Sequence, residues 1–313
     1  MATNLSDLIV FSPAVAEAIN DGTPIVALES TVITHGLPYP QNFNTLSHLE
    51  SVLASEGVTP ATIIVLEGKI HIGMTETEKQ TLKRLAQTGD KQAVIKLSMR
   101  DLPLVLAKGG SGGTTVSATM LISAMSGIRF FATGGIGGVH RDWQNSLDIS
   151  MDIEALASYP VVVISAGCKA ILDVPATLEA LESKAVPVWG WQTDRFPTFY
   201  TRSSDLPVEQ IDTEEEFVTA FRHHLELFPQ GTGVLIANPI PAEHEIAGEI
   251  IEPDIREAIA EAAERDVHGK DLTPFLLERL SQTTHGESIK ANLALLENNV
   301  RLAAKLAKTY YGE

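Results

Sequence analysis

A chain of 313 residues, 44% of them hydrophobic, can bury a large core, while a formal net charge of −17 sets it against nucleic-acid backbones and anionic membranes. A small phosphate ligand stays compatible with that charge, because a few backbone amides and one lysine can make a local positive site. The single cysteine, Cys168, excludes an intrachain disulfide and fits a reducing compartment. The opening residues lack a basic segment followed by an apolar signal core, and no apolar run approaches the ~20 residues that span a bilayer. A cytoplasmic protein is expected, with neither a nucleic-acid polymer nor a membrane as partner. No Pro/Gly/Ser-rich or charged linker divides the sequence, so a single domain over residues 1–313 is expected.

Taken in order, Ser12-Pro13 opens a short helix that Gly22 closes. Pro24–Ser30 reads as a buried strand ending in Glu29, a carboxylate that is either paired or raised in pKa by burial. A long connection over 31–42 carries His35. Leu46, Leu49, Val52 and Leu53 make a helical stripe, and two strands around Glu67-Gly68-Lys69 make a hairpin. Thr75 and Glu78 form a capping box for a helix expected to stop at Gly89. Ala93–Ser98 is a strand carrying Lys96 on the face opposite Ile95 and Leu97. Beyond the central stretch, a helix over 177–183 and a strand over 186–191 precede a polar, aromatic-bearing loop at 192–207, either a lid or an excursion. An acidic helix at 214–228, a strand at 233–237 and helices at 253–267, 273–280 and 287–310 complete the chain. Strands alternating with helices predict a three-layer α/β/α sandwich around a mostly parallel, mixed sheet.

The central stretch, 108–173, holds the densest chemistry. Gly109, Gly110, Gly112 and Gly113 precede Thr114-Thr115, read as opening a helical run that ends at Gly127; such glycines let amides approach an anion. Gly134, Gly135, Gly137 and Gly138 follow a strand at 128–133 and lead to His140, Asp148 and Asp152. Lys169 stands just past Val161–Ser165, at a strand's carboxyl end, where open α/β sheets bind ligands. An amine there is either a nucleophile or a point charge for phosphate. Cys168 reads as a small core residue. Asp148 and Asp152 would share a face if helical and could hold a hard cation, with Asp152 capping a 151–158 helix as the other reading. His140 is open between metal ligand, base contact and loop anchor.

VALESTVITHGLPYPQN at 26–42, FATGGIGGVHR, LDIS, AGCKAILD, ANPIP at 237–241 and TPFLL at 273–277 together resemble the pseudouridine-5′-phosphate glycosidases, the indigoidine-synthase-A-like family. The resemblance implies reversible cleavage of the C–C glycosidic bond of pseudouridine 5′-phosphate to uracil and ribose 5-phosphate. It implies Lys169 as the Schiff-base lysine, Glu29 as proton donor, and Asp148 as the ligand of one Mn2+ per subunit. Substrate contacts carry over to Lys96, Val116, Ser150, Met151 and Asp152, with His140 and Asn292 as further substrate-binding candidates, and a homotrimer is implied as well. Two departures stand out: Asp142-Trp143 replaces a glycine and a non-tryptophan in many members, and Met151 replaces a smaller residue. Two other readings are a Schiff-base aldolase on a phosphosugar and a noncatalytic nucleotide or sugar-phosphate sensor.

Overall fold

The structure is a computed structural model that describes residues 5–87, 90, 92–229 and 231–312. Its contacts group into two compact units, one of Met1–Ala132 with Ala303–Glu313, the other Thr133–Leu302.

The first unit contains β1 (Ile9–Phe11), α1 (Pro13–Asp21), β2 (Ile25–Leu28), α2 (Gln41–Ser55), β3 (Thr59–Leu66) and β4 (Lys69–Ile72). It continues with α3 (Glu76–Ala86), β5 (Ile95–Leu97), α4 (Leu102–Ala107), β6 (Gly112–Thr114), α5 (Val116–Met125) and β7 (Phe130–Ala132). The strands run in the order β1-β4-β3-β2-β7. β2 is parallel to β3 and to β7, while β4 is antiparallel to β3 through the expected hairpin. Glu67 and Gly68 turn it with φ of 49° and 77°, the pair of left-handed residues that a tight two-residue turn requires. Every residue of β2 is buried, and Ile63, Ile64 and Val65 of β3 are fully so. The Ser12 hydroxyl caps α1, Gly22 ends it at φ 65°, and the Thr75–Glu78 capping box opens α3. Helix α3 ends at Ala86; the expected stop at Gly89 lies outside the described residues. The 31–42 connection is not plain loop: Val32–Gly36 form a wide helical turn.

The second unit contains α6 (Trp143–Ser146), α7 (Met151–Ser158), β8 (Val162–Ser165), α8 (Val174–Glu182), β9 (Val188–Trp191), β10 (Glu209–Ile211) and α9 (Glu214–Leu227). Then come β11 (Val234–Ala237), α10 (Gly248–Glu264), α11 (Leu272–Thr283) and α12 (Glu287–Gly312), whose residues from Ala303 onward are counted with the first unit. Its strands β8, β11, β9 and β10 are all parallel, and β8 and β11 are buried along their whole length. Trp189 of β9 meets Phe217 of α9 edge-on with centroids 6.4 Å apart. The α/β class with a mostly parallel, mixed sheet and helices around it is therefore borne out. Strand β10 was not expected, and α10 begins at Gly248 rather than at Pro253, which lies inside the helix. A proline at the sixth helical position removes its own N–H bond and crowds the carbonyl four residues back, and the helix nonetheless runs through it.

Candidate active site

Each unit gathers its own set of candidate residues. In the first, Glu29 follows β2 and is half-buried. The next residue locks that strand's exit. The Ser30 hydroxyl donates to Ile63 O (2.6 Å) and accepts from Thr114 N (2.9 Å). The Thr114 hydroxyl donates to the same Ile63 O (2.8 Å) and accepts from the Thr119 hydroxyl (3.0 Å). Thr31 adds a bond to Gly113 O (3.2 Å). Buried hydroxyls satisfied in this way fix a seam between β2, β3 and β6. β6 also pairs parallel with β5, where Lys96 opposes Gly113. Val116 is the first residue of α5, with Thr115 at its N-cap position. Glu29, Lys96 and Val116 are thus brought to one seam.

The first glycine cluster differs from its sequence reading. Gly112 and Gly113 are strand residues of β6, antiparallel to β3, rather than an open phosphate loop. A Cβ on Gly112 would stand 2.5 Å from Ile95 O, and one on Gly113 would lie 3.1 Å from Ser30 O and overlap the Thr34 hydroxyl. Close backbone approach is what glycine supplies here.

In the second unit the 134–140 strip is bonded along both edges. On one edge Ala166 N donates to Gly134 O (2.9 Å), Ile136 N to Gly167 O (3.1 Å), and Lys169 N to Ile136 O (3.1 Å), while His140 bridges Leu172. On the other edge His140 N donates to Asp148 O (3.0 Å), Ser150 N to Gly138 O (2.9 Å), and Val139 bridges Ile149. The buried Asp152 carboxylate accepts from Gly137 N (2.8 Å). Lys169, His140, Asp148, Ser150, Met151 and Asp152 therefore stand around one strip. Asn292, buried on α12, has its Oδ1 3.2 Å from where a Gly134 Cβ would be. Neighbouring Asn299 donates to Thr133 O (2.8 Å) and accepts from Asn238 of the ANPIP run (3.0 Å).

Two sequence readings of the aspartates are corrected. Ser150, not Asp152, caps α7, its hydroxyl accepting from Asp152 N at 3.2 Å. Asp148 and Asp152 do not share a helical face, because α7 starts at Met151 and Asp148 precedes it in an extended stretch. The Asp142 departure has a backbone counterpart: its φ of 64° lies in the left-handed region that glycine adopts freely, and its carboxylate accepts from Asn145 Nδ2 (2.6 Å).

The chemistry of the set follows from its surroundings. Half-buried Lys169 makes no side-chain hydrogen bond or ion pair among the described residues, which leaves its amine open to a carbonyl substrate. Cys168 is wholly buried, and that burial pushes its thiol up to about 12, so it stays protonated and inert beside the lysine. Among the described residues no group of three or more His, Cys, Asp or Glu could enclose a metal ion. The Asp148 carboxylate, half-exposed and without a hydrogen-bond partner among the described residues, fits the other mode: one carboxylate with water filling the shell of a hard cation. Sequence reasoning gave Arg141 no role. Its guanidinium grips both oxygens of Glu252 (2.7 and 3.0 Å) and holds that carboxyl below its usual range. The only sequence signal for it was its place beside His140.

A likeness to known proteins extends over almost the whole chain. The family model for indigoidine synthase A like protein matches residues 14–309. A pseudouridine-5′-phosphate glycosidase from Caldanaerobacter subterraneus subsp. tengcongensis is 47% identical over 304 residues, covering 97% of each chain. Among solved structures, an indigoidine synthase A-like protein from Thermotoga maritima is 35% identical with a TM-score of 0.86, covering 97% of each chain. The prealnumycin C-glycosynthase AlnA in complex with ribulose 5-phosphate is 34% identical with a TM-score of 0.87, again over 97% of each. The chain belongs to the indigoidine synthase A-like family.

Proposed function

We propose that this chain is a pseudouridine-5′-phosphate glycosidase, reversibly cleaving the C–C glycosidic bond of its substrate to uracil and ribose 5-phosphate in pseudouridine catabolism. The observation that carries the chemistry is the lysine just past β8: Lys169 is tied by its backbone to the strip that also holds His140 and Asp148, and its amine is unpaired among the described residues. Relatives bearing that name match the chain end to end, at 47% and 45% identity over 97% of it.

An ordinary glycosidase protonates a leaving oxygen, and a C-glycoside has none. Lys169 instead bonds through its amine to carbon 1 of the sugar as the ring opens. The bond from carbon 1 to the ring oxygen breaks, and that oxygen leaves as a hydroxyl with the amine proton. The imine forms only in the next step, when the nitrogen lone pair expels uracil. Glu29 delivers a proton to carbon 5 of uracil as the C–C bond breaks, and the pyrimidine carbonyls take the electron pair. Water then hydrolyses the imine that remains on the sugar, freeing Lys169 and ribose 5-phosphate. Lys96, the amide at Val116, Ser150, Met151, Asp152, His140 and Asn292 hold phosphate and base. Asp148 with water would hold a divalent cation, Mn2+ by the family resemblance, which would supply positive charge to the anionic substrate. A cytoplasmic homotrimer completes the reading.

The test is release of free uracil from pseudouridine 5′-phosphate, with borohydride trapping of ribose 5-phosphate on Lys169. Absence of both refutes the glycosidase and leaves the sensor. A Lys169 adduct without uracil release points to an aldolase, or to a C-glycoside with another aglycone, which the likeness to a C-glycosynthase favours as the second reading. In the same assay Asp148→Asn is expected to lose its response to added Mn2+; an unchanged titration removes Asp148 as ligand.

A further inference from the structure

The Lys169 segment is held from a second side by a charged clamp. Arg141 directs its Nη2 to Ala170 O (3.1 Å) and its Nε to Leu172 O (3.4 Å), the carbonyls one and three residues past Lys169. The same guanidinium makes the paired bonds to Glu252, in the second turn of α10. A planar fork can serve two carbonyls and a carboxylate together, which an ammonium cannot.

The anchor is itself fixed. Ile246 N donates to Tyr200 O (2.9 Å), the Thr201 hydroxyl donates to Ile246 O (2.9 Å), and Arg202 N donates to the Glu245 carboxylate (2.9 Å), all just before α10. That 198–202 stretch returns to the lysine segment: Thr198 bridges Gly167, and Phe199 N donates to Ala166 O (2.9 Å). Phe199 holds a left-handed φ of 66° there, with Cδ2 only 2.6 Å from the position a Gly135 Cβ would take. Residues 166–172, 198–202, 245–246, α10 and Arg141 thus form a closed circuit of bonded segments in which Lys169 is one link. Because Arg141 directly follows His140, the circuit also joins the central strip.

We propose that Arg141 and Glu252 are positioning residues for Lys169, setting where its amine meets carbon 1 of the sugar. The inference rests on the imine reading of Lys169. Neither residue bonds the Lys169 amine; the pair acts through the Ala170 and Leu172 carbonyls. A misplacement of about 1 Å costs on the order of 10²-fold in rate, so the clamp governs turnover more than substrate affinity.

The experiment compares wild type, Arg141→Ala, Arg141→Lys, Glu252→Gln and, as a control, Arg256→Ala, which removes only the exposed second partner of Glu252. Melting temperature is read beside kcat and KM for uracil release. Arg141→Ala is expected to lower kcat on the order of 10²-fold with KM little changed, and added guanidinium ion to restore part of it. Arg141→Lys should not restore it, and Arg256→Ala should stay within about twofold of wild type. If Arg141→Ala does not fold, Glu252→Gln decides by the same kcat and KM split. Folded variants turning over within about twofold of wild type overturn the clamp. If wild-type protein releases no uracil, the glycosidase reading fails on its own. The clamp is then decided by labelling Lys169 with dilute acetic anhydride: faster labelling in Arg141→Ala supports it, and equal rates overturn it.

Discussion

The two glycine clusters look alike in sequence and serve different physical ends. In the first, Gly109 sits at φ 66° with nothing within 4 Å of a would-be Cβ, a turn residue chosen for its backbone. Gly112 and Gly113 of that cluster are buried strand residues crossed by neighbouring backbone. In the second, the glycines are covered by side chains. A Cβ on Gly135 would meet Phe199, one on Gly137 would stand 2.8 Å from the Asp152 carboxylate, and one on Gly138 would be 2.5 Å from Thr177 Cγ2. The first cluster shapes a strand and a hydroxyl seam; the second lets side chains close over a strip. Glycine composition alone distinguishes neither from an anion loop.

The largest expected effect tests what the hydroxyl seam beside the first cluster is for. Glu29→Gln keeps shape and most hydrogen bonding but cannot cycle a proton, so single-turnover uracil release should fall ~10²–10⁴-fold with melting temperature held. Near-normal release by the folded variant would instead make Glu29 a structural end to β2. The glycines come next. Gly137→Ala should destabilise by about 1–3 kcal/mol through overpacking and also slow uracil release, because the Asp152 carboxylate must move. Gly109→Ala should cost about 1–2 kcal/mol for its left-handed backbone and leave release rates unchanged. Denaturant melts with rate measurements on the same samples decide this, and matching activity losses at both positions would erase the contrast. The smallest effect is expected at Cys168. Its thiol, held near 12 by burial, should resist iodoacetamide in the native protein at neutral pH, and Cys168→Ala should keep full turnover. Rapid native labelling would contradict that burial.

What could be read from the sequence was what side chains announce. The buried runs of β2, β8 and β11, the Glu67-Gly68 turn and the Thr75–Glu78 box all carry their reasons in residue type. Strand β10 could not be read, because Glu209 and Gln210 are exposed and only Ile211 turns inward. β6 hid behind the composition of a loop. The position of Lys169 past a buried strand was legible, but the strip that holds it was not. Bonds such as Lys169 N to Ile136 O and His140 N to Asp148 O are made by the main chain and are indifferent to side-chain identity. Arg141 and Glu252 are 111 residues apart, and no local pattern links a lone arginine to one glutamate of an acidic helix.

The double-edged bonding of residues 134–140 has a mechanical consequence. Lys169 hangs from Ile136 on one margin and Asp148 from His140 on the other, so both ride on a common carrier. A displacement of that carrier moves the backbones of Lys169 and Asp148 together, so the spacing between their main chains changes less than either position does. A pair of groups mounted in this way tolerates drift of the surrounding scaffold, as two marks on one rule stay in register however the rule is moved.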